Sequence, residues 1–213
     1  MRRSVTIDHL VVVSPNLKLG VQYLRDVLGA TPELGGKHTS MGTHNCLLRL
    51  SEETYLEIIS PDPNAPNPGR PRWFGLDTLD KDSRPRLATW VVRTDDINET
   101  VCACSENLGT IELMSRGEFG WLITVPTDGS LPLRGVAPYL IQWRSAAHPV
   151  TRMRDEGCKL LRIELHHPAP ERVERLLGSI DLDTARVSVF GCAPQMPPRI
   201  VAEIETPRGI KVL

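Results

Sequence analysis

The chain has 213 residues, 40% hydrophobic and 24% charged, and its 25 Lys and Arg against 26 Asp and Glu give a formal net charge of −1. This is a globular composition with enough length for one large domain or two small ones. No Lys/Arg run suggests a phosphate backbone and no apolar stretch reaches membrane-span length, so neither nucleic acid nor membrane is an expected partner. The start "MRRSVTIDHL" carries Arg2 and Arg3 but enters a strand at once, without the apolar segment of a signal peptide. Cys46, Cys102, Cys104, Cys158 and Cys192 form an odd set without a CxxC pair. They read as reduced thiols of a cytoplasmic protein, mostly small core residues.

Ile7 to Val13 predict an apolar strand with His9 in its middle, broken at Ser14-Pro15. Leu17, Val21, Leu24 and Leu28 then fall on one helical stripe, with Ser14 as N-cap, Pro15 in the first turn and Gly29 ending the helix. Residues 30–37 make a weaker strand or turn, and 42–50 and 54–60 a β-hairpin. Residues 1–62 therefore read β-α-β-β-β. The linker 63–85 is rich in Pro and Asn around an apolar "RWFGL", and loops this long often cover a site.

Residues 86–145 repeat the pattern, with a strand at 86–93, a helix at 95–108 and strands near 110–115, 119–125 and 138–144. Thr94, Ile97, Val101, Cys104, Leu108 and Gly109 each stand 80 residues after their counterparts in the first segment, the mark of a duplication. A third unit in the extension 146–213 has a strand, Pro168, a helix through Val173 and Leu176 closed by Gly178, and strands at 185–190 and 199–205. The expected architecture is a single α+β domain over 1–213, with two βαβββ modules and an additional C-terminal βα-type unit.

Strand alternation puts Tyr55, Glu57 and Ile59 on one face. A carboxylate among apolar neighbours is costly to bury unless it is paired or metal-bound. His9 and Glu57 suit a divalent ion, or a buried hydrogen-bonded pair with no metal.

The segments "DHLVVVSPNL", "GKHTSMGTHNCLLRL", "YLEIISPDP", "RPRWFGLDTL", "LATWVVRTDDI" and "LPLRGVAPYLIQW" resemble the glyoxalase-like branch of the vicinal oxygen chelate superfamily, over roughly residues 6 to 145. The resemblance implies a curled mixed sheet forming a cup that holds a divalent metal (Zn, Mn, Fe or Ni), with His9 and Glu57 as metal ligands. It implies a metal-assisted lyase, isomerase or dioxygenase-type enzyme acting on vicinal oxygens of a small molecule, with Glu57 doubling as base. The superfamily also contains metal-free binding proteins, so sequestration of a small molecule is the alternative. Two departures stand out. Thr89 replaces the second-module histidine, and the counterpart of Glu57 falls at Ile141 or Gln142 once a longer turn shifts the register from Ala137. Gln142 is then the third candidate ligand, through its amide oxygen.

Substrate-binding candidates are Asn45, which shares a strand face with Leu47 and Arg49, and His44 on the opposite face with Cys46 and Leu48. Trp90, with Trp73 and Phe74, is a candidate pocket wall, although core packing is the commoner fate of such aromatics. His38 is read as a turn residue, and His166 and His167 as helix-entry residues. A homodimer is compatible with the sequence.

Overall fold

The structure, a computed structural model, describes residues 5–145 and 147–213. Arg2 and Arg3 lie outside them. The first half runs β1 (Thr6–Val13), α1 (Leu17–Leu28), β2 (Glu33–His38), β3 (Thr43–Arg49) and β4 (Tyr55–Pro61). The second runs β5 (Arg86–Arg93), α2 (Ile97–Ala103), β6 (Thr110–Arg116), β7 (Phe119–Val125) and β8 (Tyr139–Trp143). Their strands form one eight-stranded sheet in the order β2-β3-β4-β1-β5-β8-β7-β6. In each half the first strand runs parallel to the last, and the halves join through the antiparallel pair β1–β5.

The register of that pair displays the duplication. Leu10 faces Trp90, His9 faces Val91 and Val11 faces Thr89, so each residue pairs with the 80-offset equivalent of its partner's counterpart. A twofold relation about Leu10 and Trp90 follows. The caps obey the same offset: Asn16 accepts from the Leu19 N–H and Asp96 from the Glu99 N–H. These replace Ser14 and Thr94 as N-caps, because the Ser14 and Thr94 hydroxyls instead donate to the carbonyls of Asn16 and Asp96. The second helix is also shorter than its apolar stripe, since Cys104 is already extended at φ −64°, ψ 130°. Leu108 still reaches the core, from a loop.

The third unit contains β9 (Lys159–His167), α3 (Pro170–Ser179), β10 (Val187–Gly191), β11 (Arg199–Thr206) and β12 (Gly209–Val212), the last unforeseen. It starts as the other two do but is wired differently. β10 returns parallel beside β9 and the β11–β12 hairpin adds on the other side, in the order β10-β9-β11-β12. Gly178 lies within α3 rather than ending it.

Two apolar clusters show the layering. One lies on the convex side of the large sheet, where Leu10, Val12, Leu24, Leu56, Trp90 and Leu140 share a core with Leu160, Ile163, Leu176 and Ile204 of the third unit. The other fills the concave side with Val11, Val13, Ile59, Val91, Tyr139 and Ile141, and with Trp73 and Phe74 from the linker. The sheet curls until its edge strands β2 and β6 approach one another. Of the five thiols, all free, only Cys46 and Cys158 are buried, fewer than expected. No helix among the described residues is long and apolar enough to cross a membrane.

Candidate functional site

The concave face carries polar side chains where an apolar lining would be expected. His9 and Glu57, both buried, project into it from β1 and β4. His9 Nε2 and Glu57 Oε2 stand 3.6 Å apart, facing each other beyond hydrogen-bond distance. The sequence thus located this pair. Asn45, on β3 opposite Ile59, also points inward and donates from Nδ2 to Glu57 Oε1 at 2.5 Å. Its Oδ1 accepts from the Gly36 N–H at 2.7 Å. Gly35 makes this possible, because a Cβ there would stand 2.1 Å from Asn45 Oδ1.

Sequence reading missed the partner that completes the array. The β1–β5 register slips between Ile7 and His9, leaving Asp8 as the bulged residue. A bulge re-aims side chains that strict alternation would send to opposite faces. Fully buried, Asp8 accepts at Oδ1 from His9 Nδ1 at 2.6 Å. Its Oδ2 accepts from Trp143 Nε1 at 2.9 Å and His148 Nε2 at 3.1 Å. His148 Nδ1 accepts from the Val150 N–H, which leaves Nε2 to carry the proton in the neutral ring. Burial would raise the Asp8 carboxyl, but the hydrogen bonds and charges of His148 and His9 outweigh it and hold it well below the ordinary carboxylate range. An ionised Asp8 only accepts, so the proton of a neutral His9 sits on Nδ1 and the Nε2 lone pair faces Glu57.

His38 is the second omission. Instead of sitting at an outer turn, it is buried at the end of β2 opposite Thr43, whose hydroxyl lies 3.1 Å from its Nδ1. Burial, then Arg116 and His9, pushes its pKa down to about 3, so the ring is neutral. Tyr55 stacks on His9 at 4.5 Å, and burial, then the charges of Asp8 and Glu57, keeps its phenol protonated.

His9, His38, Tyr55, Glu57, Trp73 and Trp121 enclose a chamber of about 20 Å³, enough for one water molecule or a single polar group. The linker closes it, as its length suggested. Phe74 holds a left-handed φ of 58°, a strained conformation for a bulky residue. The Trp73 indole N–H is buried without a hydrogen-bond partner among the described residues.

Other sequence candidates do not reach the chamber. Gln142 lies on the opposite face of β8, where Oε1 accepts from the Ile97 N–H and Nε2 donates to the Asp95 carbonyl, capping α2. Register makes Tyr139 the counterpart of Glu57: Glu57 pairs with Val11, and Tyr139 with Val91, the equivalent of Val11. Trp90 belongs to the convex core and donates to the Val136 carbonyl. His44 shares the convex-side face of β3 with Cys46, and burial lowers its pKa against the opposing charge of Asp62. Arg49 binds the Ser51 carbonyl in its own turn. His166 pairs with Glu164 on the separate four-stranded sheet, and His167 Nδ1 accepts from the Ala169 N–H at the entry to α3.

The glyoxalase-like domain model matches residues 7–180. The chain belongs to the glyoxalase-like domain family. Among solved structures this glyoxalase-like chain is similar to a hypothetical protein from Staphylococcus aureus, with TM-score 0.64 and 14% identity over 92% of this chain and 90% of that one. It also aligns with a Streptomyces coelicolor methylmalonyl-CoA epimerase in complex with 2-nitronate-propionyl-CoA, with TM-score 0.40 and 17% identity over 68% of this chain and 100% of that one. A 4-hydroxymandelate synthase variant from Streptomyces coelicolor gives 0.45 and 13% over 99% of this chain and 62% of that one. At these identities the likeness bears on fold alone. No curated protein matches the sequence.

The divalent ion that the superfamily implies can be tested against the donors present. His9 Nε2 and Glu57 Oε2 face one another, but the second half supplies Thr89 and Tyr139 at the equivalent positions. The Tyr139 hydroxyl donates to the Ser130 carbonyl, and the Thr89 hydroxyl is buried without a partner among the described residues. No three His, Cys, Asp or Glu side chains among the described residues are grouped to share an ion. A catalytic zinc, for comparison, keeps three protein ligands. The donor set does not fit a resident divalent ion.

Proposed function

We propose that this glyoxalase-like protein is an enzyme of the isomerase or lyase type that moves a proton on a small oxygenated molecule. The observation that carries this reading is the buried array Asp8–His9···Glu57–Asn45 opening on an aromatic chamber. Asp8 orients the imidazole and stabilises the cation formed when the ring takes a second proton, the role of the third member of a nucleophile–base–acid array. His9 Nε2 removes a proton from carbon next to a carbonyl, and the electron pair left behind delocalises onto the carbonyl oxygen. Glu57, fixed by Asn45 and facing His9 Nε2, takes that proton from the imidazolium and delivers it to the neighbouring position in an isomerase, which leaves His9 neutral again. In a lyase the same electron pair instead breaks the bond to a group on the carbon beyond, and the His9 proton passes to that departing group. General acid–base participation of this kind contributes roughly 10²–10⁴ in rate.

The test is deuterium exchange into small 2-oxo and 2-hydroxy acids in heavy water, followed by proton NMR. Wild type should catalyse exchange, and His9→Gln and Glu57→Gln should each reduce it by about a hundredfold or more. Equal exchange in wild type and both variants, or none in wild type, would overturn the reading.

A further inference from the structure

Beside the closed chamber lies an open cleft of about 300 Å³ between the approaching edges of β2 and β6 and the segment 149–153. About half of its surface is apolar, from Leu34, Leu47, Phe119, Pro149 and Met153, and the rest is polar, with Glu33, Glu118 and Arg152 at its rim. Leu34 is 87% exposed at the rim of this cleft. Arg116, at the end of β6, lines both the cleft and the chamber. Its stem crosses β2 over Gly36, where a Cβ would stand 2.5 Å from Arg116 Cδ.

The charges around the cleft are arranged unequally. Glu33 pairs with Arg154, and Glu118 with Arg152. Arg116 forms no ion pair among the described residues, and its guanidinium carbon lies 5.9 Å from the Phe119 ring centre. On its inner side it comes near the neutral His38. A guanidinium is built to take an anionic oxygen pair in a fork. Here it stands where the cleft meets a chamber of single-group size, also lined by Trp73, whose N–H has no hydrogen-bond partner among the described residues.

We infer that the cleft and chamber together bind a carboxylate with an apolar tail. Its carboxylate sits on Arg116 and its tail lies along Leu34, Phe119 and Met153, while an oxygen on the adjacent carbon enters the chamber. This assigns the substrate class as 2-oxo or 2-hydroxy acids with an apolar tail, and it rests on the proton-transfer reading of His9 and Glu57. The small chamber excludes a bulky reacting end, and the cleft supplies apolar area that a two- or three-carbon acid would leave unused.

Calorimetric titration tests the binding half without requiring turnover. The probes are octanoate, 1-octanol and acetate, added to wild type, Arg116→Gln and Leu34→Asp; Leu34 is exposed enough to change without disturbing the fold. Octanoate should bind wild type at least tenfold more tightly than either acetate or 1-octanol. Arg116→Gln should erase its advantage over 1-octanol, and Leu34→Asp should weaken it several-fold. Failure of octanoate to bind wild type, or binding indifferent to both substitutions, overturns the inference. Deuterium exchange into 2-oxooctanoate, compared between wild type and His9→Gln, separates the two readings. Octanoate binding as described without any exchange would remove the catalytic role of His9 and the assignment as substrate, leaving the cleft as a carboxylate site.

Discussion

His9 Nδ1 stands 2.6 Å from Oδ1 of Asp8, its own neighbour in the chain. In a regular strand these side chains would lie on opposite faces. The bulge brings them together, and Trp143 and His148 hydrogen-bond the other carboxylate oxygen, with the Arg93 guanidinium 3.8 Å from it. Asp8→Asn should therefore cost about 3 kcal/mol, because it leaves donors from three elements without their buried anion. The folded state holds this carboxyl below its ordinary value, so its stabilisation is present above about pH 4 and is lost as acid protonates the group. Urea melts should show both the loss at neutral pH and a weaker acid dependence below pH 4 in the variant.

His38 predicts a second acid effect in a different window. The unfolded chain takes a proton on this residue near pH 6.5, whereas the folded ring stays neutral down to about 3. Between those values the unfolded state binds more protons, so lowering the pH destabilises the fold by about 1.4 kcal/mol per unit. His38→Gln should remove that slope between pH 6 and 4. An unchanged slope would show that the imidazole is not buried as described.

Gly35 and Gly36 predict unequal outcomes for one substitution. Gly35→Ala drives a Cβ into the Asn45 amide and should cost about 1–3 kcal/mol, with loss of proton transfer as Glu57 loses its anchor. Gly36→Ala meets only the Arg116 side chain, which can move, and should cost less stability. Thermal melts of the two variants make the comparison.

The two βαβββ modules were legible because apolar stripes and caps recur at an offset of 80, and the β1–β5 register keeps that offset. Glu57 and Asn45 were legible from alternation along their strands, and His9 from its place in an apolar strand and from the family resemblance. Asp8 was not, since a bulge breaks the period of two. His38 was not, since Gly35 and Gly36 leave β2 without an apolar pattern. Gln142 was misplaced because the counterpart of Glu57 is only two residues beyond the simple offset, at Tyr139, which returns Gln142 to the convex face. The Arg116 position depends on β2 and β6 meeting across the mouth, a long-range closure that no local pattern encodes.

In the proposed proton transfer His9 serves as a base and not as the ligand of a resident metal. Elemental analysis of protein expressed in metal-replete medium and then desalted tests this most directly, comparing wild type with His9→Ala. Divalent metal should stay well below one equivalent per chain in both proteins. One equivalent in wild type that disappears in His9→Ala would contradict it.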